Sequence, residues 1–337
     1  MKVALTLAAR DEGDVVEAYL AHHLNAGVDV VVATDHASQD ETGEILESWA
    51  RDGSVHLLRE SSEGFDQRAL LTRMAHIAVT QLGADWVLHA DADEFWWPRS
   101  GTIKEMLVAV PREYGIVRGL VQYFLVRPDD GRFFAERMDV RLVRSPVQDP
   151  VSTGRPFSKV AHRPDPNIRI GVGAHGVESE TLAPFHAWTP FEILHFSVRN
   201  VAQCRRKFAN RASFWTTDAH GPGPYVEHAQ HEIVAHGAQT FYDSLTVDDE
   251  VVARGLRDGS LLVDTRLRDT LRLLGAPDRL RPRRHDVPLE HEHERHAALF
   301  AHEVAMLDAT EETRLNRRVD ELERRVAAIE QRTGRRR

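Results

Sequence analysis

Short, continuous apolar runs punctuated by polar clusters open the chain, with helix-period stretches between them. Lys2 to Ala9 is a strand pattern that stops at Arg10-Asp11-Glu12-Gly13, and Asp14 then stands as the N-cap of a helix through Asn25, ended by Gly27. Val28 to Thr34 is a second apolar strand, closed by Asp35-His36-Ala37-Ser38-Gln39-Asp40; Glu41 to Arg51 is helical, with Gly53 as its stop. Val55 to Arg59 forms a third short strand. A helix over Phe65 to Leu82 carries the stripe Leu70, Leu71, Met74, Ile77 and Ala78. It leads into Trp86 to Phe95, which reads as one short buried strand ending in the acids of Asp91-Ala92-Asp93-Glu94-Phe95. Runs without polar alternation are buried on both faces, and their alternation with helices over about ninety residues predicts a doubly wound, mostly parallel α/β sheet.

After Pro98 the rhythm changes. One helix near Ile103 to Val110 precedes a strand-rich stretch from Gly115 to Arg144, which we assign to the second half of the same domain. Ser145 to Pro190, rich in Pro, Gly and His, predicts loops and short strands around a site. Glu192 to Ser197 is another strand, and Asn200-Val201-Ala202-Gln203 has the form of a capping box opening a basic helix with Arg205, Arg206, Lys207 and Arg211. This places a main domain over 1–245, a helical extension over 246–286 broken by Pro277 and Pro282, and a C-terminal helix over 287–337. Leu315, Val319, Leu322, Val326 and Ile329 give that helix a short coiled-coil seam. The seam predicts self-association; the arginines beside it make contact with a membrane surface the alternative. No internal repeat is present.

Composition narrows the classes. With 337 residues, 42% hydrophobic and 28% charged, the chain can bury a full α/β core and still carry an appendage. A formal net charge of −9 argues against a general nucleic-acid binder. No apolar run reaches membrane-spanning length, and Met1-Lys2-Val3 leads directly into a strand rather than a signal peptide, so a cytoplasmic protein is expected. Cys204, the single cysteine, excludes a disulfide framework and is expected as a buried small residue.

The chemistry concentrates at strand ends. Arg10-Asp11-Glu12, Asp35 with Asp40, and Asp91-Asp93-Glu94 each follow a strand, and in a doubly wound sheet such ends lie along one rim where ligands collect. Asp91 and Asp93, two apart at a strand-to-loop bend, suit a hard cation such as Mg²⁺ or Mn²⁺ that keeps positions for phosphate oxygens. Clustered carboxylates beside Trp86, Leu88, Phe95 and Trp97 are costly without a cation. No Gly-x-Gly-x-x-Gly or phosphate-loop pattern follows the first strand, which argues against dinucleotide enzymes and phosphate-loop NTPases. His231 and His236 resemble a zinc-protease pair but are spaced by five, about 140° apart on a helix, and cannot share a face.

In order and spacing, Ala9-Arg10-Asp11-Glu12, Gly27-Val28-Asp29, Asp35 to Asp40 and Asp91-Ala92-Asp93-Glu94-Phe95 resemble a GT-A-type glycosyltransferase of the family 2-like group, over about residues 2 to 215. Ser158 to Pro164, Gly173-Ala174-His175 and Leu194-His195-Phe196 extend the likeness. The resemblance implies a GT-A-like, Rossmann-like, mostly parallel sheet flanked by helices, with a helical C-terminal appendage. It implies Mn²⁺ or Mg²⁺ as cofactor, a nucleoside-diphosphate sugar as donor, a glycan or other hydroxyl compound as acceptor, and a hexosyl transfer of the inverting kind.

By that resemblance Ala8, Arg10, Glu12 and Asp35 surround the nucleotide, with Asp35 near the base, and Lys159 and Arg163 meet phosphate. Asp91 and Asp93 hold the metal and diphosphate, with His175 and His195 as candidates for a further ligand. Asp93, Glu94 and Glu178 are the candidates for the chemical step; Asp149 and Glu192 lie in the same half of the chain as Glu178, while Glu94 adjoins the metal motif. His36 departs from the acid or Asn of many relatives and leaves base preference open. The rivals are a sugar-phosphate nucleotidyltransferase, which would show a Gly-rich turn where this chain has Ala8 to Glu12, and a catalytically silent nucleotide-sugar-binding scaffold, separable only by turnover.

Overall fold

The computed structural model describes residues 1–60, 66–143, 157–186, 188–214 and 224–275. The coiled-coil seam and Asp149 lie outside these residues. The first half runs β1 (Val3–Ala9), α1 (Val16–Asn25), β2 (Val30–His36), α2 (Thr42–Ala50), β3 (Val55–Glu60), α3 (Gln67–Thr80) and β4 (Trp86–His89). There follow β5 (Glu94–Pro98), α4 (Ile103–Val108), β6 (Tyr114–Tyr123), α5 (Phe134–Arg137), β7 (Val140–Leu142) and β8 (Ser158–His162). The short pieces β9 (Arg169–Ile170), a 3₁₀ turn at Val172–Ala174, β10 (Val177–Glu178) and β11 (Ala183–Pro184) lead to β12 (Phe191–His195). Helices α6 (Val201–Phe214), α7 (Pro224–His236), α8 (Ala238–Leu245) and α9 (Asp249–Asp258), then β13 (Leu261–Val263) and α10 (Arg266–Leu274), complete the order.

The main sheet has the order β3-β2-β1-β4-β8-β6-β12-β5, with β11 beside β6. Strands β3, β2, β1 and β4 pair in parallel; β8 runs antiparallel to both β4 and β6, and β5 antiparallel to β12. Only β8 and β5 therefore oppose the common direction, and the mostly parallel α/β sheet that the apolar runs predict is present. Alternate residues of β1 explain the continuous run: Val3, Leu5 and Leu7 face the core under α1, α2 and α4, while Ala4 faces the core under α3 with Leu70, Met74 and Ala78.

Three local expectations are revised by tertiary contacts. Asp14 does not cap α1; its carboxylate accepts two bonds from Arg199, at 2.8 and 2.9 Å. The run through Asp91 to Phe95 is not one strand, because the chain turns after β4 and crosses to the far edge as β5. There the outward backbone of Trp96 is closed by α1: its N–H donates to His23 Nε2 (3.0 Å), and its C=O lies 2.9 Å from His22 Nε2. Both imidazoles are buried and held neutral by burial, so they serve as the polar cover an edge strand requires. The Pro- and Gly-rich stretch contributes β8, a central sheet strand, as well as loops.

At α6 the Asn200 side chain accepts the Gln203 N–H (2.8 Å), while the Gln203 amide accepts from Arg199 N–H (3.2 Å). One arm of the expected capping box is thus made and the other is turned one residue back. Cys204 is buried with Phe208, Phe241 and Tyr242 between α6, α7 and α8, and burial pushes its thiol up to about 11. The extension after 245 lies against the main fold: β13 pairs with β7, and Leu267, Leu271 and Leu274 of α10 join the core beneath α1. Among the described residues no helix is long and apolar enough to cross a membrane.

Candidate active site

Register brings the polar strand ends together. Ala9 at the end of β1 lies opposite Asp35 at the end of β2, and Thr6 lies opposite His89, the last residue of β4. The three clusters that follow these strands therefore open on one rim. The two loops beside β1 and β2 are laced to each other. Asp11 takes a positive φ of 55°, and its carboxylate accepts the Gln39 N–H at 2.6 Å. Asp40 accepts from Gly13 N–H and Thr42 N–H, at 3.1 and 3.0 Å.

Asp35, 7% exposed, accepts the Ser38 N–H at 3.2 Å. A Cβ on Gly43 would stand 2.8 Å from Asp35 Oδ2, so the side-chain-free first turn of α2 makes room for this carboxylate. Arg10 Nη1 lies 3.5 Å from His36 Nδ1, which places the divergent His36 against the expected nucleotide residue. Ala8 sits in β1 opposite Thr34.

At β4 each carboxylate is matched by a basic side chain. Lys159, on β8 and 1% exposed, donates to Asp91 Oδ2 (2.9 Å) and contacts Glu94 Oε2 (2.7 Å); Glu94 also accepts the Asp91 N–H at 2.9 Å. Burial opposes the Lys159 charge, but the two carboxylates outweigh it and raise its pKa above the ordinary value. Burial likewise opposes the Asp91 charge, with Lys159 holding that carboxyl below its usual range; for Glu94 burial wins and the carboxyl is raised.

Asp93 Oδ2 meets Lys207 Nζ of α6 at 2.5 Å, His195 Nε2 at 3.7 Å and Arg199 Nη1 at 3.8 Å. These charges overcome burial and keep Asp93 well below the carboxylate range. Arg199 has a fully buried side chain and also binds Glu12 Oε2 (2.5 Å) and both oxygens of Asp14. Glu12 is nonetheless raised to about 7: burial is the leading cause, and the guanidinium that opposes it is shared with Asp14.

Arg10, Glu12, Asp35, Asp91, Asp93, Glu94, Lys159 and His195 thus gather at one rim. His175 is adjacent, its Nδ1 2.9 Å from the Ser158 carbonyl and its pKa lowered to about 4 by burial and by the Lys159 charge. Three residues lie elsewhere. Arg163 stands at the opposite end of β4, over the Trp86 ring (4.6 Å) and bonded to the carbonyls of Tyr114 and Val110. Glu178 is exposed and lines a groove of about 870 Å³ over α3 with His76 and Arg169. Glu192 is enclosed by arginines, with Arg266 at 2.7 Å, and takes no place at the rim.

Arg199 and Lys207 are the rim residues that pattern reading misses. The available signal was the basic character of the helix after Asn200: Lys207 falls one turn beyond buried Gln203 and Cys204, on the helix face turned to the fold.

Among the described residues no group of three or more His, Cys, Asp or Glu side chains is disposed to hold a metal. The donors nearest to that chemistry are Asp93 and the His195 imidazole, with the Asp91 carboxylate, 43% exposed, beside them. His195 Nδ1 is buried without a hydrogen-bond partner. Carboxylate oxygens suit Mn²⁺ or Mg²⁺, which accept one or two protein ligands when phosphate oxygens and water supply the rest. Asp91 and Asp93 are the oxygen donors that would face such an ion, and the Lys207 ammonium stands on Asp93 as its counter-charge.

No known protein-family profile matches the chain, and no protein of curated function matches it in sequence. Solved structures do. TarS 1-349 of S. aureus in complex with UDP-GlcNAc is 12% identical at a TM-score of 0.34, covering 74% of this chain and 77% of that one. The same protein in complex with UDP gives 12% identity and a TM-score of 0.35 over 94% of this chain and 92% of that one. Glucosyl-3-phosphoglycerate synthase of Mycobacterium tuberculosis, in complex with Mn²⁺, UDP and glucosyl-3-phosphoglycerate, gives 13% identity and a TM-score of 0.25 over 36% of this chain and 44% of that one. At such identities and TM-scores, the fold rests on the sheet order itself.

Proposed function

We propose that the chain is a glycosyltransferase that moves a sugar from a nucleoside-diphosphate donor to a hydroxyl acceptor, with Mn²⁺ or Mg²⁺ as cofactor and a GT-A-like sheet as its scaffold. The observation that carries this reading is the convergence of three acid-bearing strand ends on one rim: Glu12, Asp35, and Asp91 with Asp93. A nucleotide bound there without a Gly-rich loop needs carboxylates for base and ribose hydroxyls and a cation-binding end for diphosphate.

In this reading Asp35 accepts hydrogen bonds from the base or ribose, and Arg10 lies beside it. Asp93 and His195 hold the ion, with Asp91 on the solvent side toward the diphosphate. When bound, the ion supplies Lewis-acid neutralisation of the charge on the departing diphosphate. Lys159 fixes the rotamer of Asp91 through a 2.9 Å bond, and Glu94, held by the same ammonium and by the Asp91 N–H, acts as a brace. Arg199 joins the end of β1 to Asp93, so the nucleotide and diphosphate halves are fixed relative to each other before the donor arrives. An inverting transfer also needs a carboxylate near the acceptor hydroxyl. Glu178 serves in that role only if the acceptor reaches the groove over α3.

A thermal-shift screen of nucleotide sugars with and without Mn²⁺, followed by hydrolysis of each stabilising donor, tests the assignment. We expect Mn²⁺-dependent stabilisation that Asp93→Ala abolishes while the variant keeps its fold. Stabilisation by no donor, or equal stabilisation in Asp93→Ala, would refute it.

A further inference from the structure

We propose that Lys207 is a resident cation at Asp93 that a divalent ion must displace, so that ion occupancy and the docked position of the Lys207 side chain exclude each other. The inference rests on the metal reading above and adds a property of this chain to it. Lys207 Nζ lies 2.5 Å from Asp93 Oδ2 and donates to the Ser197 carbonyl at 2.6 Å, with the side chain 11% exposed. The same Oδ2 also lies 3.8 Å from the Arg199 guanidinium and 3.7 Å from His195 Nε2. Its one hydrogen-bonded cation is Lys207, with Arg199 next to it.

An ion bound to that oxygen at about 2.1 Å would stand within a few ångströms of the ammonium, where like charges in a poorly hydrated site repel strongly. Of the two cationic partners, Lys207 is the one that can swing away. Arg199 is fixed by Glu12 and Asp14, and His195 belongs to β12 and would itself ligate. A lysine stem is long and flexible, and its ammonium regains water at the rim.

The arrangement also explains how two neighbouring acids, one of them buried, coexist. Lys159 supplies the counter-charge to Asp91 and Lys207 supplies it to Asp93, each on an element distant in sequence. Lys159 is 1% exposed and anchored between two carboxylates, so it remains in place. Ion binding then exchanges one cation for another at Asp93 and frees one of the ties between α6 and the strand-end rim. A second tie, Arg206 to Asp40 at 3.9 Å, stays in place.

The test is Mn²⁺ binding to the full chain without nucleotide, read as free Mn²⁺ by electron paramagnetic resonance. Removing a competing charge-assisted bond predicts that Lys207→Met binds Mn²⁺ about tenfold or more tightly than wild type, while Lys207→Arg stays near wild type. Without metal Lys207→Met should melt below wild type, and saturating Mn²⁺ should close the gap, which a merely structural lysine would not do. Equal or weaker Mn²⁺ affinity in Lys207→Met overturns the proposal and leaves the metal reading intact. Failure of both proteins to bind Mn²⁺, alone and with UDP added, overturns the metal reading and the proposal together. Retained binding in Asp93→Asn would place the ion elsewhere and also overturns it. If Lys207→Met does not fold, Lys207→Gln replaces it with the same expectations.

Discussion

Replacing Glu192 by Gln should cost stability and leave donor chemistry in place. The Glu192 side chain is 5% exposed, with Oε2 2.7 Å from Arg266 Nη1 and Oε1 3.7 and 3.9 Å from Arg141 and Arg99. Arg266 and Arg141 also bind buried Asp264, at 2.6 and 2.8 Å, and Arg266 lies over the Trp97 ring at 5.2 Å. The network joins β12 and β7 to the start of α10. Burial alone would raise the Glu192 pKa, but the arginines outweigh it and lower the carboxyl from 4.5 to about 2. A drop of that size corresponds to about 3 kcal/mol, at about 1.4 kcal/mol per pKa unit.

Because folding lowers this pKa, the folded protein binds fewer protons than the unfolded chain between about pH 2 and pH 4.5. The stabilisation is complete above that window and is lost as pH falls through it. Glu192→Gln should therefore lose about 3 kcal/mol at pH 7, and the difference from wild type should shrink as pH falls below about 4.5. Urea unfolding at pH 7 and pH 3, followed by tryptophan fluorescence, measures both. Equal stability at pH 7, or a deficit that stays constant at pH 3, would refute the argument.

The other expectations concern the rim. Gly43→Ala places a Cβ where Asp35 Oδ2 now lies 2.8 Å away; it should match or exceed wild-type stability by up to about 1 kcal/mol, since Ala is the better helix residue, yet weaken nucleoside monophosphate binding in calorimetry. Asp35→Ala should weaken the same binding directly, and wild-type affinity in both variants would remove Asp35 from the nucleotide site. Arg199→Met leaves Glu12, Asp14 and Asp93 short of a shared, fully buried counter-charge, so it should lose about 3–5 kcal/mol in urea unfolding; a loss below about 1 kcal/mol would show that the guanidinium is not holding them.

The parts of the fold legible in the sequence are those fixed locally. Apolar runs such as Val3 to Ala9 and Val30 to Thr34 are buried on both faces of the sheet, and that double burial is itself the signal. The convergence of Glu12, Asp35, Asp91 and Asp93 followed from the strands alone, since parallel order fixes which ends share a rim. The misreadings lie where a partner far along the chain decides. Asp14 satisfies every local rule for a helix cap, but Arg199, 185 residues on, takes its carboxylate. Strand β8 is five residues within a Pro- and Gly-rich stretch, and its place between β4 and β6 comes from antiparallel pairing with both, which periodicity does not register.

The same distinction applies to the acids themselves. Clustered carboxylates at Asp91, Asp93 and Glu94, two of them buried, require positive charge, and a sequence expresses that requirement without saying what meets it. In the ligand-free protein Lys159 and Lys207 meet it, each across more than sixty residues of chain. An acid pair with a metal-binding spacing is therefore compatible with two states of one site, one closed by lysine and one closed by an ion. Under the proposed exchange Asp91, 43% exposed and paired with a buried lysine, would keep its orientation, and Asp93, 5% exposed, would be where the two closures differ. The charge requirement is written at the strand end, but the side chain that meets it at Asp93 stands on α6.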